Sequence, residues 1–270
     1  MTTTPHFPIV LVGCGKMGGA MLGGWLDQGT PAEAIAVVDP TGPVLPAGVT
    51  LLPDAAALPP GLSAEVVVLA VKPQVMAEVL PAYGPLVGGD TVVLSVAAGK
   101  TIGFFRSVLG ETTAVVRAMP NTPAAVGRGM TVLCAGAGVS DAQKARCQTM
   151  VEGIGLAAWI DTESDMDAVT AVSGCGPAYV FHMVEAMARA GRDLGLADDL
   201  AMTLARQTVA GAGELLFRSP DPAGALRQNV TSPGGVTAEA LAVLMDETDG
   251  LPPLMKRAMD AAVRRSRDLA

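Results

Sequence analysis

Short apolar runs rich in valine alternate with longer segments of mixed polarity from the start of the chain to about residue 160. Residues 8–12, 35–38, 66–70, 92–96 and 113–117 are each brief and almost wholly apolar. That pattern predicts strands buried on both faces of a parallel sheet. Residues 17–28, 74–80 and 101–109 lie between them and read as crossover helices. Two more strands are expected at 130–135 and 156–160, flanking a helix at about 141–154. Strand–helix alternation of this kind implies a doubly wound α/β sheet.

The pattern changes near residue 162, after which no strand signal remains. Residues 177–190 place Val180, Phe181, Val184, Met187 and Ala188 on one helical face, with Pro177 suited to open the helix. Residues 199–217, 238–245 and 254–269 read as further helices. The expected organisation is a dinucleotide-binding domain over 1–162 and an all-helical domain over 163–270.

Composition narrows the function. The 270 residues carry a net charge of −8, and no basic run exceeds the pair Arg264–Arg265. A nucleic-acid groove needs clustered Lys and Arg, so none is expected. Five Phe, two Tyr and two Trp are too few for a base-stacking platform. The four cysteines, Cys14, Cys134, Cys147 and Cys175, form no CxxC and suggest neither a disulfide frame nor a zinc site. Free thiols, no apolar run of about 20 residues and no convincing signal peptide together predict a cytoplasmic protein without a membrane span. The two histidines, His6 and His182, are too few for a His-based metal site. His182 falls among apolar residues and reads as structural, although it is the only internal imidazole available for acid–base work.

The first strand runs straight into Gly13-Cys14-Gly15-Lys16-Met17-Gly18, a GxGxxG with a strand before it and a helix after. In such a turn the first Gly permits the tight bend, the second admits a pyrophosphate, and the third lets helix pack on strand. The diphosphate would sit at the helix N-terminus. Asp39 ends the second strand, where an acid bonds the ribose hydroxyls of NAD and repels the extra phosphate of NADP. It also stands before Pro40, so a cap or turn role is open. Lys72 with Pro73, and Asn121 within Met119-Pro120-Asn121-Thr122-Pro123, follow strand ends and are expected to border the cofactor cleft; a solvated strand terminus is the alternative for Lys72, disfavoured because Pro73 fixes the chain direction.

A second glycine-rich turn, Thr231-Ser232-Pro233-Gly234-Gly235-Val236-Thr237, precedes an apolar helix and is a candidate anion site. Ordinary helix capping by Thr237 is the alternative. A third such turn, Ser173-Gly174-Cys175-Gly176-Pro177, suggests close helix packing or a neighbouring ligand.

Taken in order, GCGKMG, AVKP, SVAAG, RAMPNTPA, AVSGCGPAYVF and NVTSPGGVT resemble the pyrroline-5-carboxylate reductase family over nearly the whole chain. The resemblance implies reduction of 1-pyrroline-5-carboxylate to L-proline with NADPH or NADH, the last step of proline synthesis. It implies a Rossmann domain followed by a helical domain that interleaves into homodimers, and rings such as decamers beyond them. It places substrate carboxylate on the N–H groups of the loop Ser232, Gly234, Gly235, Val236 and Thr237, with the Thr237 hydroxyl on the ring nitrogen. Asn229 would touch cofactor across the dimer. Ala70, Lys72, Pro73, Ala97, Ala98 and Asn121 would wall the nicotinamide end, and Gly13, Gly15, Lys16, Met17 and Gly18 would hold the diphosphate.

Two positions depart from the family pattern. NADPH-favouring members carry small polar or basic residues after the second strand, whereas this chain has Asp39-Pro40-Thr41-Gly42 with no Arg or Lys nearby. NADH is therefore expected to serve at least as well. The family's SGSGPA is SGCGPA here, a small-for-small change expected to matter little. Three rivals stand beside this reading. A β-hydroxyacid dehydrogenase would need a catalytic Lys on the helix at 177–190, which has none. The others are a dinucleotide sensor without turnover and a reductase of six-membered cyclic imines.

Overall fold

The computed structural model describes residues 7–269, so His6 lies outside the described residues. Eight strands form one sheet: β1 (Ile9–Val12), β2 (Ile35–Val38), β3 (Thr50–Leu52), β4 (Val66–Leu69), β5 (Val92–Ser95), β6 (Ala114–Met119), β7 (Gly129–Ala135) and β8 (Gly155–Ile160). Their order is β3-β2-β1-β4-β5-β6-β7-β8. The first six run parallel and make the doubly wound arrangement expected. β7 corrects that expectation: it pairs antiparallel with β6, and β8 follows it parallel. The reversal follows from a short connection. Only residues 120–128, among them the 3₁₀ segment Thr122–Val126 and the left-handed Gly127, separate β6 from β7, too little chain for a parallel crossover.

Valines on successive positions feed two different layers, because a strand sends alternate side chains to opposite faces. Leu11, Val37, Val68, Leu94, Val116 and Leu133 face one way, against Met21, Leu22 and Trp25 of α1 (Lys16–Asp27) and Cys147, Met150 and Val151 of the helix at Asp141–Glu152. The Trp25 indole donates to Met150 O over 2.8 Å and ties those two helices together. Val10, Val12, Val38, Val67, Leu69, Val93 and Val115 face the other way. There they meet α2 (Met76–Val79) with its 3₁₀ extension Leu80–Leu86, and α3 (Ile102–Leu109). The helix at Asp141–Glu152 is α4, opened by a reciprocal cap between Ser140 and Gln143.

After β8 the chain stays on the sheet. α5 (Met166–Val169) sinks Met166 fully into the second layer, and a single π-helical turn follows at Thr170–Gly174. The chain divides into two compact units after Gly174, later than the expected boundary at 162. The reason is this strap: Glu163, Met166, Asp167 and Ser173 are all bonded or packed into the sheet unit.

The second unit, Cys175–Ala262, is wholly helical. It contains α6 (Gly176–Asp193), α7 (Asp198–Arg218), α8 (Ala223–Asn229), α9 (Val236–Leu244) and most of α10 (Leu251–Leu269). From Val263 on, α10 groups with the first unit, where Ser266 and Arg267 bond Asp167. α6 and α7 pack through small residues, with Ala188, Ala201 and Ala205 buried and Gly191 against Ala201. Those three alanines are the buried apolar residues of this unit among the described residues. Phe181, Met183, Met187, Leu204, Leu215 and Leu244 are exposed. His182 is exposed too and pairs with Glu185 one helical turn on at 3.1 Å.

Candidate active site

The strand ends of the sheet unit bring the dinucleotide turn and its neighbours together. Gly13 N bonds Val38 O and Ala70 N bonds Val12 O, so the turns after β1, β2 and β4 lie side by side. Gly13 has φ +88°, open to glycine, and a Cβ there would meet Val71 Cγ1 at 2.8 Å. A Cβ on Gly18 would fall onto the Gly13 carbonyl oxygen, so the third glycine sets the approach of α1 to β1. Gly15 is different. Its backbone is extended, and a Cβ would meet nothing within 4 Å. No protein atom demands glycine there, as expected of a position that a ligand approaches.

The start of α1 fits the same ligand. Gly15 caps it without a side chain, its first turn carries no acid, and exposed Lys16 is its first residue. The leading N–H groups of a helix have no intrahelical acceptor. A cation beside them is unfavourable until an anion arrives. These residues fit a diphosphate.

Asp39 is 8% exposed and serves the turn directly. Its Oδ2 accepts the Cys14 N–H at 2.7 Å, and its Oδ1 accepts the Thr41 amide at 2.9 Å and hydroxyl at 2.6 Å. Burial pushes the carboxyl pKa up, but the bonds from Thr41 and Cys14 outweigh it and hold it below the ordinary value. The turn role left open by the sequence is therefore real. The cysteine beside it moves the other way, since burial and then the Asp39 charge push the Cys14 thiol up.

Lys72, extended and exposed, caps the 3₁₀ turn Pro73–Val75 after β4. Ser95, buried at the end of β5 and not singled out in the sequence, accepts the Ala97 N–H at 3.2 Å and shapes the Ala97–Ala98 bend. Asn121 uses both ends of its amide within the protein. Its Nδ2 donates to Ser173 O at 3.0 Å and its Oδ1 accepts Met130 N–H at 2.9 Å. These bonds brace the strand end and leave the amide one further N–H and one further lone pair.

The second unit carries the other candidate residues. Asn229 is the exposed last residue of α8. Ser232 to Gly235 form a turn closed by Gly235 N to Ser232 O at 3.0 Å, with Pro second and a left-handed Gly234 (φ +66°) third. That is the residue pattern of a type II turn. Gly235 caps α9 without a side-chain bond. Thr237 lies inside the first turn of α9 and is not its cap, which removes the capping alternative. The N–H groups of Val236 and Thr237 open the helix without intrahelical acceptors. Val236 is 90% exposed in this chain.

Comparison with known proteins agrees with this geometry. Residues 163–269 match the family model for pyrroline-5-carboxylate reductase dimerisation, and residues 8–99 match that for NADP oxidoreductase, coenzyme F420-dependent. The chain is 38% identical to a pyrroline-5-carboxylate reductase of Pseudomonas aeruginosa, covering 99% of this chain and 98% of the other. A solved pyrroline-5-carboxylate reductase from Coxiella burnetii superposes with a TM-score of 0.89 at 34% identity over 98% of each chain. A Plasmodium falciparum pyrroline carboxylate reductase, solved with NADP bound, gives a TM-score of 0.80 at 28% identity over 98% of this chain and 99% of that one. With two helix starts that lie behind glycine turns without a side-chain cap, and likeness along nearly its full length, the chain belongs to the pyrroline-5-carboxylate reductase family.

Proposed function

We propose that this chain catalyses reduction of 1-pyrroline-5-carboxylate to L-proline in the cytoplasm. The observation that carries the reading is a pair of helix starts in one chain that lie behind glycine turns and lack a side-chain cap: α1 behind Gly13–Cys14–Gly15, with no acid in its first turn, and α9 behind the Ser232–Gly235 turn, with Glu239 in its own. One suits a diphosphate and the other a substrate carboxylate. A bound reduced nicotinamide supplies the hydride.

The residues of the chain do the rest. Gly13, Gly15, Lys16, Met17 and Gly18 hold the diphosphate, and Asp39 holds the ribose. Ala70, Lys72, Pro73, Ala97, Ala98 and Asn121 form the wall at the nicotinamide end, with Asn229 reaching it from a partner copy. The amides of Gly234, Gly235, Val236 and Thr237, with Ser232, fix the substrate carboxylate. The Thr237 hydroxyl orients the ring nitrogen. The carbon that accepts hydride must be electron-poor, so the imine reacts as its protonated iminium. The transfer makes one C–H bond and leaves the proton on the amine, and no side-chain acid is needed. Catalysis by this chain is then chiefly proximity and orientation.

NADH serves at least as well as NADPH in this reading, because Asp39 and the Lys- and Arg-free stretch after it offer nothing to a ribose phosphate. The partner is a second copy of the chain, joined through the helical unit. The test is oxidation of NADH and of NADPH with pyrroline-5-carboxylate, with proline identified as product. Proline formation supports the reading. Cofactor binding without turnover of this imine would refute it and direct attention to larger cyclic imines.

A further inference from the structure

The first residue of the strap after β8 makes a junction that no sequence pattern announces. Glu163 Oε1 accepts two bonds at one atom: the Ile102 N–H at 2.8 Å and Arg117 Nη1 at 3.0 Å. Ile102 is the first residue of α3, directly after the loop that carries Ala97 and Ala98. Thr101 already caps that helix at Phe104 N, so Glu163 supplies the second cap from 61 positions away. Arg117 sits in β6, two residues before Met119 and four before Asn121. It is 6% exposed, and a buried guanidinium stripped of its counter-charge is strongly unfavourable.

One carboxylate oxygen thus joins the start of α3, where the loop after β5 ends, to the strand β6 that leads into Met119-Pro120-Asn121. The far end of the strap repeats the attachment. Asn121 holds Ser173 O, and a Cβ on Gly174 would meet Met119 Cε at 2.7 Å. The two segments expected to wall the nicotinamide end are held by the strap at two points.

We propose that Glu163 is a positioning residue for this wall, acting through Ile102 and Arg117 and touching neither cofactor nor substrate. What the wall does rests on the reductase reading; that Glu163 holds it does not. Loss of the junction frees the first turn of α3 and the Ala97–Ala98 loop to drift from the end of β6. A small misplacement at a hydride-transfer site costs rate steeply, by roughly tenfold to a hundredfold.

The experiment compares Glu163→Gln with Glu163→Ala. Gln keeps an Oε1 acceptor for both bonds but not the charge, whereas Ala loses both. Three quantities are read: amide hydrogen exchange over residues 96–104 and 117–122, the NADH dissociation constant, and kcat and KM for the imine. The Ala variant is expected to exchange faster at Ile102 and its neighbours and to bind NADH about tenfold more weakly. Its kcat should fall while the imine KM stays within about twofold, with Gln between Ala and wild type. Should the Ala variant fail to fold, the pair Glu163→Ala with Arg117→Met removes the stranded cation and restores folding. Fast exchange at Ile102 and weak NADH binding are still expected in it. Wild-type exchange and NADH affinity in a folded Ala or double variant would overturn the proposal. Exchange and NADH binding are read without the imine, so failure of the imine to react leaves this test intact.

Discussion

The Cys14 amide, the first variable position of the dinucleotide turn, donates to the carboxylate of Asp39 at 2.7 Å. The acid expected to read the ribose is therefore also the brace of the turn proposed to hold the diphosphate. Replacing it does two things at once. Asp39→Ser removes a charge that would repel a ribose phosphate, and it removes the acceptor for Cys14. The NADH:NADPH ratio of kcat/KM is expected to exceed one in the wild type and to fall in the variant. NADH kcat/KM itself should drop by roughly tenfold or more, the cost of about 1.5–3 kcal/mol for a lost bond to a charged group. A wild-type ratio in the variant would free Asp39 from any part in cofactor choice.

The same carboxylate sets a pH dependence. Its folded-state pKa lies below the ordinary value, because the bonds from Thr41 and Cys14 outweigh the effect of burial. The stability it contributes is then complete above the unfolded value of about 3.9 and disappears as pH falls through the lower folded value. Asp39→Asn cannot accept all three bonds, since its amide nitrogen would face an N–H or a hydroxyl donor. Urea unfolding of wild type and variant should show a gap that is constant above about pH 5 and narrows as pH falls below the unfolded value of about 3.9 and on through the lower folded value. A gap that stays open across that window would mean the stabilisation does not depend on the charge.

Gly15 and Gly18 separate binding from folding. At Gly18 a Cβ collides with the Gly13 carbonyl, so Gly18→Ala is expected to cost about 3 kcal/mol or more. At Gly15 the extended backbone and the open space admit a methyl group. Gly15→Ala should change stability by no more than about 1 kcal/mol yet weaken NADH binding by roughly tenfold. Thermal unfolding and cofactor titration of the two proteins check both halves. Unchanged NADH affinity in Gly15→Ala would remove the diphosphate from that turn.

Thr237 offers a cleaner case. Its hydroxyl makes no bond within this chain among the described residues and does not cap α9. Thr237→Val should leave Tm unchanged while kcat/KM for the imine falls by about 1–3 kcal/mol, roughly fivefold to 150-fold. Wild-type kinetics would exclude the hydroxyl from contact with the ring nitrogen.

Strands with a full apolar run were legible in the sequence because burial on both faces leaves one composition available to them. β3 was not: Thr50–Leu52 is three residues, two half-covered and Leu51 exposed, after a proline- and glycine-rich stretch. The direction of β7 was hidden for another reason, since hydrophobic pattern reports burial and not polarity of the chain. α8, with the sequence AGALRQN, has too little apolar periodicity to stand out. At the site, glycine turns and Asp39 were visible because their chemistry is local. Glu163 and Ser95 were not, because each looks ordinary until its partner is known. Glu163 bonds residues 46 and 61 positions away.

The helical unit has a consequence for how this protein survives dilution. Cys175–Ala262 buries three alanines as its apolar interior while Phe181, Leu204, Leu215 and other large side chains stay on its surface. Alanines at a seam exclude too little water to hold such a stretch on their own, at about 25 cal/mol per Å². Its missing core must come from a second chain, which makes folding of this half a bimolecular event. Mass action then governs it: the unfolding temperature should climb with protomer concentration, and thin solutions should lose the helical half first.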